Sequence, residues 1–146
     1  MIPKTNATVT VNRSILKQNL QTLKHHVNDD VRIMAVVKAN AYGHGAVEVS
    51  KTLEPLVGAF AVNDIHEGIE LRKAGIAKPI IVFEVPNEQE ASKYRIHNLT
   101  ATISAMSHFK LLPNGTSYHL NFDTGMGRLG FAPKDAEKVA QQVATN

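Results

Sequence analysis

The sequence predicts an α/β protein whose strands run parallel. Three observations carry that expectation. Short apolar runs begin near residues 33, 59, 80, 99 and 118. Stretches of helical periodicity lie between them. The runs are continuous rather than alternating, as in strands covered on both faces. Two architectures satisfy this pattern. One is a five-stranded doubly wound sheet, which closes at this length. The other is part of an eight-stranded β/α barrel, which needs about 250 residues. Periodicity alone does not choose between them.

Each element has a local reason. Residues 12–27 read as a helix, because Leu16, Leu20, Leu23 and Val27 fall on one face. Asn12 is its expected N-cap. A strand at 33–37 follows, then a loop over 39–45. A helix at 46–53 places Ala46, Val49 and Leu53 on one side. The second strand is 59–62. Asp64, with Glu67 three residues later, starts the next helix in the manner of a capping box, and Gly75 ends it. The third strand is 80–83, followed by a short helix beyond Pro86. The fourth strand is 99–103. A helical stretch at 107–112 is ended by Pro113, Asn114 and Gly115. The fifth strand is 118–122. A last helix starts at Pro133, a good first-turn residue, and carries Ala136, Val139, Ala140 and Val143.

Composition narrows the function. The 146 residues are 43% hydrophobic and 20% charged, an ordinary globular balance. A chain this size can bury roughly 70% of its unfolded surface. No apolar run approaches the roughly 20 residues of a membrane span. Residues 1–6 lack the apolar stretch of a secretory signal, which favours the cytoplasm. The absence of cysteine excludes disulfides, zinc–thiolate sites and thiol nucleophiles. Sixteen Lys and Arg against thirteen Asp and Glu give a net charge of +3. These basic residues are scattered, which argues against nucleic acid and leaves room for a small anionic ligand. Seven histidines show no ligand spacing, so no metal site is assigned.

In both architectures function gathers at the C-terminal ends of the strands. Lys38 ends the first, Asn63 and Asp64 the second and Glu84 the third. Residues 123–130 follow the fifth. A lysine set against an apolar wall has its charged form disfavoured, and its neutral amine can condense with an aldehyde. The competing reading is a lysine that snorkels to water or pairs with a carboxylate. Tyr42, Gly43, His44 and Gly45 lead into a helix, where backbone amides favour an anion. Tyr42 could bond a phosphate there, or stand in a plain exposed turn. Residues 125–130 spell G-x-G-x-x-G, but that fingerprint needs a helix, a second strand and an acidic residue about 20 positions on, and the 16 residues after Gly130 read as one helix, so a dinucleotide fingerprint is rejected. The glycines instead make a tight turn that lets Arg128 point into the site. Its planar fork suits a carboxylate or phenolate oxygen. Otherwise Arg128 pairs with Asp123 or Asp135 on the surface.

Taken together, three segments resemble the alanine racemase family. Residues 35–45, AVVKANAYGHG, resemble its cofactor-lysine signature. Residues 123–130, DTGMGRLG, resemble its second signature, and residues 11–20, VNRSILKQNL, its first-helix pattern. The resemblance runs over nearly the whole chain. It implies a fold of β/α units forming about five strands of a TIM-type (β/α)8 barrel, with residues 1–146 a partial N-terminal barrel domain and the C-terminal β-domain absent. It implies pyridoxal 5′-phosphate as cofactor, alanine as substrate, a homodimer, and supply of D-alanine for the cell wall. By position, Lys38 would form the internal aldimine and act as base on one face of the substrate. Tyr42 would lie against the cofactor phosphate, and Arg128 would contact the cofactor's phenolic oxygen and the substrate carboxylate. The family's opposite-face base is a tyrosine in the partner's C-terminal domain, so this chain is expected not to racemise alone. Many members carry a carbamylated lysine where Asn121 stands here. A bound anion or Asp123 is expected to balance Arg128 instead. Three other readings compete. They are a stand-alone pyridoxal phosphate-binding module, an inactive truncated product with open strand edges, and a doubly wound nucleotide binder.

Overall fold

A computed structural model of the chain describes residues 8–28 and 30–145. Residues 1–6, read above for a signal, lie outside them. Helix α1 (Arg13–Lys24) begins where Asn12 Oδ1 accepts from the Ser14 and Ile15 N–H groups. Strand β1 (Met34–Val36) leads into α2 (Lys38–Tyr42), a single helical turn, and then α3 (Ala46–Leu53). Strand β2 (Ala59–Val62) is followed by α4 (Ile65–Lys73), capped by Asp64 Oδ1 on the His66 and Glu67 amides. Then come β3 (Ile80–Val82), α5 (Ala91–Ile96), β4 (Ala101–Ile103), β5 (Tyr118–Leu120) and α6 (Ala136–Ala144). Among the described residues no helix is long and apolar enough to cross a membrane.

Strand order decides between the two architectures. β1 pairs with β2 and β2 with β3, all parallel. An isolated parallel bridge, Ile81 with Thr100, carries the ladder to β4, which pairs in parallel with β5. The order is therefore 1-2-3-4-5, with every strand beside its predecessor in sequence. A doubly wound sheet reverses direction at a switch point and leaves its first strand inside. Here β1 is an edge strand, so the arrangement is that of five successive units of a TIM-type barrel.

That position also corrects one expectation. β1 is not covered on both faces: Met34 and Val36 are 40% and 38% exposed, because only β2 lies beside them. The apolar core sits instead around β2 and β3. Phe60, Val62, Ile80 and Val82 are wholly buried there, against Ile65 and Leu71 of α4 and against Leu99 and Tyr94. Arg72, at the C-terminal end of α4, donates to the carbonyls of Ile76, Lys78, His97 and Asn98. One guanidinium thus ties the approaches to β3 and β4 together. A second cluster joins Ile103, Phe109, Phe131 and Val139. Phe109 meets Tyr118 edge-on at 5.6 Å.

The stretch before β5 also differs from a regular helix. Residues Met106–Lys110 form a 3₁₀ turn. Its entry is pinned by the Ser104 N–H on His108 Nδ1, and Pro113 follows too closely for an α-helix to lengthen.

Candidate functional site at the C-terminal ends of the strands

A cavity of about 440 Å³ opens at the C-terminal ends of the strands, of a size that suits a small cofactor. Lys38 enters it from the end of β1, Phe83 from β3, and Asn121, Asp123 and Arg128 from beyond β5. Lys38 and Arg128, widely separated in sequence, therefore share one cavity. Tyr42 does not line it. It is 62% exposed at the end of the α2 turn. Asn63 and Glu84 are exposed outside the cavity, and Asp64 is the helix cap already described.

Lys38 makes no ion pair among the described residues. Its ammonium instead lies over the Phe83 ring, 5.9 Å from the centroid, a cation–π contact. Phe83 was not anticipated as a site residue. The signal available was its position as the last residue of the third apolar run, the place on a parallel strand that faces the rim.

The backbone beyond Lys38 is unusual. Ala39, Asn40, Ala41 and Tyr42 all have φ between 51° and 54°, so α2 turns left-handed without a glycine. Each such residue costs on the order of 1–2 kcal/mol, and strain of this kind persists only where the surroundings over-determine it. Here they do. The Ala39 N–H donates to Glu67 Oε1 at 2.7 Å, and the Ala46 N–H to Asn40 Oδ1 at 2.8 Å. The Gly45 N–H donates to the Asn40 carbonyl at 2.9 Å.

The loop carrying Arg128 is closed at its base. The Phe131 N–H donates to the Asn121 carbonyl, and the Asp123 N–H to the Phe131 carbonyl. Asn121 Nδ2 donates across the loop to the Leu129 carbonyl. Asp123 Oδ1 accepts from the Gly127 and Gly125 N–H groups, each at 3.0 Å. These amides hold the Asp123 carboxyl below its ordinary range. One oxygen of the carboxylate is thus engaged by the loop. Arg128 has no ion pair among the described residues, so the expectation that Asp123 balances it is corrected. Arg128 lines the cavity, and no surface pair with Asp123 or Asp135 is found among the described residues.

A pH prediction follows from Asp123. Its folded-state pKa is depressed, so its contribution to loop order is complete above the ordinary aspartate range. That contribution fades as the pH falls through the lowered value. The amide resonances of Gly125 and Gly127 should titrate together, with an inflection below that of an unstructured aspartate. Asp123→Asn should abolish the inflection.

Comparison with known proteins places this geometry. The family model for the alanine racemase N-terminal domain matches residues 11–146. An alanine racemase of Streptococcus agalactiae is 39% identical over 126 residues, which are 82% of this chain and 34% of that protein. The alanine racemase structure from Clostridium difficile 630 superposes with a TM-score of 0.84 at 32% identity, covering 92% of this chain and 40% of that one. The structure from Bacillus anthracis, determined with bound L-Ala-P, gives a TM-score of 0.80 at 32% identity, covering 90% and 36%. The chain spans about a third of the length of the curated relatives it matches.

Proposed function

The chain belongs to the alanine racemase N-terminal domain family, and on that premise we propose that Lys38 is the amine that holds pyridoxal 5′-phosphate. In the whole protein, working as a dimer in the cytoplasm, this site would interconvert L- and D-alanine and supply D-alanine for the cell wall. Residues 1–146 are then the N-terminal part of the barrel domain, with a C-terminal β-domain lying outside them. The observation that carries the reading is the shared cavity. Two cations without carboxylate partners among the described residues, Lys38 and Arg128, face about 440 Å³ of space at the functional end of a β/α array.

The residues present suit that cofactor. An aldehyde needs an amine, and Lys38 offers one. A group bearing a phenolate oxygen and a phosphate favours a cationic cavity, and Arg128 adds a permanent charge. Tyr42 is assigned to the phosphate end by the family resemblance alone, because it lies outside the lining of this cavity. The bound cofactor supplies an electron sink for charge developing on the substrate Cα. Lys38 Nζ takes and returns the proton at Cα on one face, acting as general base and then acid. Arg128 orients the substrate carboxylate. Phe83 shields the Lys38 amine from bulk water. A proton carrier for the opposite face is assigned to a region outside residues 1–146.

The test is spectroscopic. Pyridoxal 5′-phosphate added to the 146-residue chain should give a visible absorbance band. Lys38→Ala should abolish the band, and Arg128→Ala should weaken binding about tenfold. A band that survives in Lys38→Ala would overturn the assignment.

A further inference from the structure

Glu67 looks, from its sequence spacing, like the acid of a capping box, whose side chain returns to the N–H of the N-cap residue. It does not do so. Oε2 accepts from the Asn63 N–H at 2.7 Å, one residue before the cap, and Oε1 accepts from the Ala39 N–H at 2.7 Å on the neighbouring strand end. The first turn of α4 does not depend on it, because Asp64 Oδ1 already takes the His66 and Glu67 amides. The half-buried Glu67 side chain is therefore left to act between strands.

Its place in the ladder says what it does there. The Val37 N–H donates to the Ala61 carbonyl at 2.8 Å. Two residues on, a continuing parallel ladder would send the Ala39 N–H to the Asn63 carbonyl. That carbonyl is already taken by the Glu84 N–H at 2.9 Å. Glu67 supplies the missing acceptor from its side chain. The Ala39 amide is thus held as though the strand continued, while the backbone beyond it turns left-handed. Lys38 is the residue immediately before that fixed amide.

We propose that Glu67 is a positioning residue for Lys38: by gripping the Ala39 and Asn63 amides together, it sets where β1 ends and aims Lys38 Nζ into the cavity. The proposal rests on the reading of Lys38 as the cofactor-binding amine. Two short bonds to one carboxylate are charge-assisted, and they hold better than neutral ones. Glutamine at this position would keep the length but offer one acceptor oxygen, and would turn its amide N–H groups toward the second backbone N–H.

A control for loss of carboxylate charge exists within the same chain. Glu54 Oε1 also accepts two backbone amides, Ala77 at 2.7 Å and Lys78 at 3.2 Å, away from the cavity. Glu67→Gln and Glu54→Gln both remove the charge from a carboxylate that holds two amides, but Glu54→Gln keeps the single oxygen that both amides share, while Glu67→Gln loses one of two accepting oxygens, beside Lys38. The 146-residue chain and both variants are treated with pyridoxal 5′-phosphate and then borohydride. The aldehyde condenses with the amine, water leaves, and hydride fixes the product as a secondary amine that peptide mapping locates. Amide hydrogen exchange at Ala39 is measured without cofactor. The expected result is about tenfold slower labelling of Lys38 in Glu67→Gln, with labelling unchanged in Glu54→Gln. Ala39 exchange should rise about tenfold in Glu67→Gln alone. Equal labelling of Lys38 in the two variants would overturn the proposal. Wild-type chain that takes no label on Lys38 would instead overturn the cofactor reading. In that case unchanged Ala39 exchange in Glu67→Gln would overturn the positioning role as well, and faster exchange would support it.

Discussion

Gly130→Ala should destabilise the chain by about 3 kcal/mol or more and displace Arg128 from the cavity. Two effects combine. Gly130 has φ of 133°, a conformation that alanine adopts only under strain. An added Cβ would also lie 2.4 Å from the Asp123 nitrogen and 2.7 Å from the Phe122 carbonyl carbon. Both are backbone atoms in the paired base of the loop, so neither can swing aside. Relief requires breaking the Phe122–Phe131 bridge that closes the loop. Gly127→Ala makes the comparison. Its φ is 71°, but nothing lies within 4 Å of the added Cβ, so only the conformational cost of about 1–2 kcal/mol applies. Urea unfolding of the two variants should separate them clearly. Equal midpoints would show that the loop base is not the rigid element described.

Phe60→Ala should cost about 3–5 kcal/mol. Phe60 is wholly buried on β2, between Ala35 of β1 and Ile80 of β3 in the ladder register. A ring removed from the middle strand leaves a void that three strands and α4 cannot collapse around together. Domains have only about 5–15 kcal/mol to lose, so much of the population should unfold at 37 °C. Val36→Ala on β1 tests the account of the edge. That side chain is 38% exposed, and its loss should cost under about 1 kcal/mol, within the range of a partly solvated methyl pair. Thermal unfolding followed by circular dichroism would rank the two. A larger loss at Val36 than at Phe60 would contradict the placement of the core.

These effects also mark what could be read from the chain. The helix starts were legible because their causes are local. Asn12 and Asp64 cap α1 and α4 through their own side chains. The apolar runs marked the strands for the same reason. Strand order was not legible, because both candidate architectures bury the same runs and differ only in which neighbours meet. The solvent-facing side chains of β1 followed from that order. The left-handed turn over 39–42 was hidden more deeply. Ala, Asn, Ala and Tyr carry no glycine to announce positive φ, and the bond that imposes the first step comes from Glu67, 28 residues away. Lys38 and Arg128 could be singled out by type and position. That they share one cavity depended on how the loop base closes, and Tyr42 stays outside its lining at the end of the left-handed turn.

The central claim is that Lys38, among the lysines of this chain, is the amine shaped to receive pyridoxal 5′-phosphate. The direct measurement is a peptide map of the wild-type chain after exposure to stoichiometric pyridoxal 5′-phosphate and borohydride reduction. The account predicts that the phosphopyridoxyl group is found on Lys38 in large excess over every other lysine. Label spread among the exposed lysines, with Lys38 no more modified than Lys17 or Lys51, would contradict it.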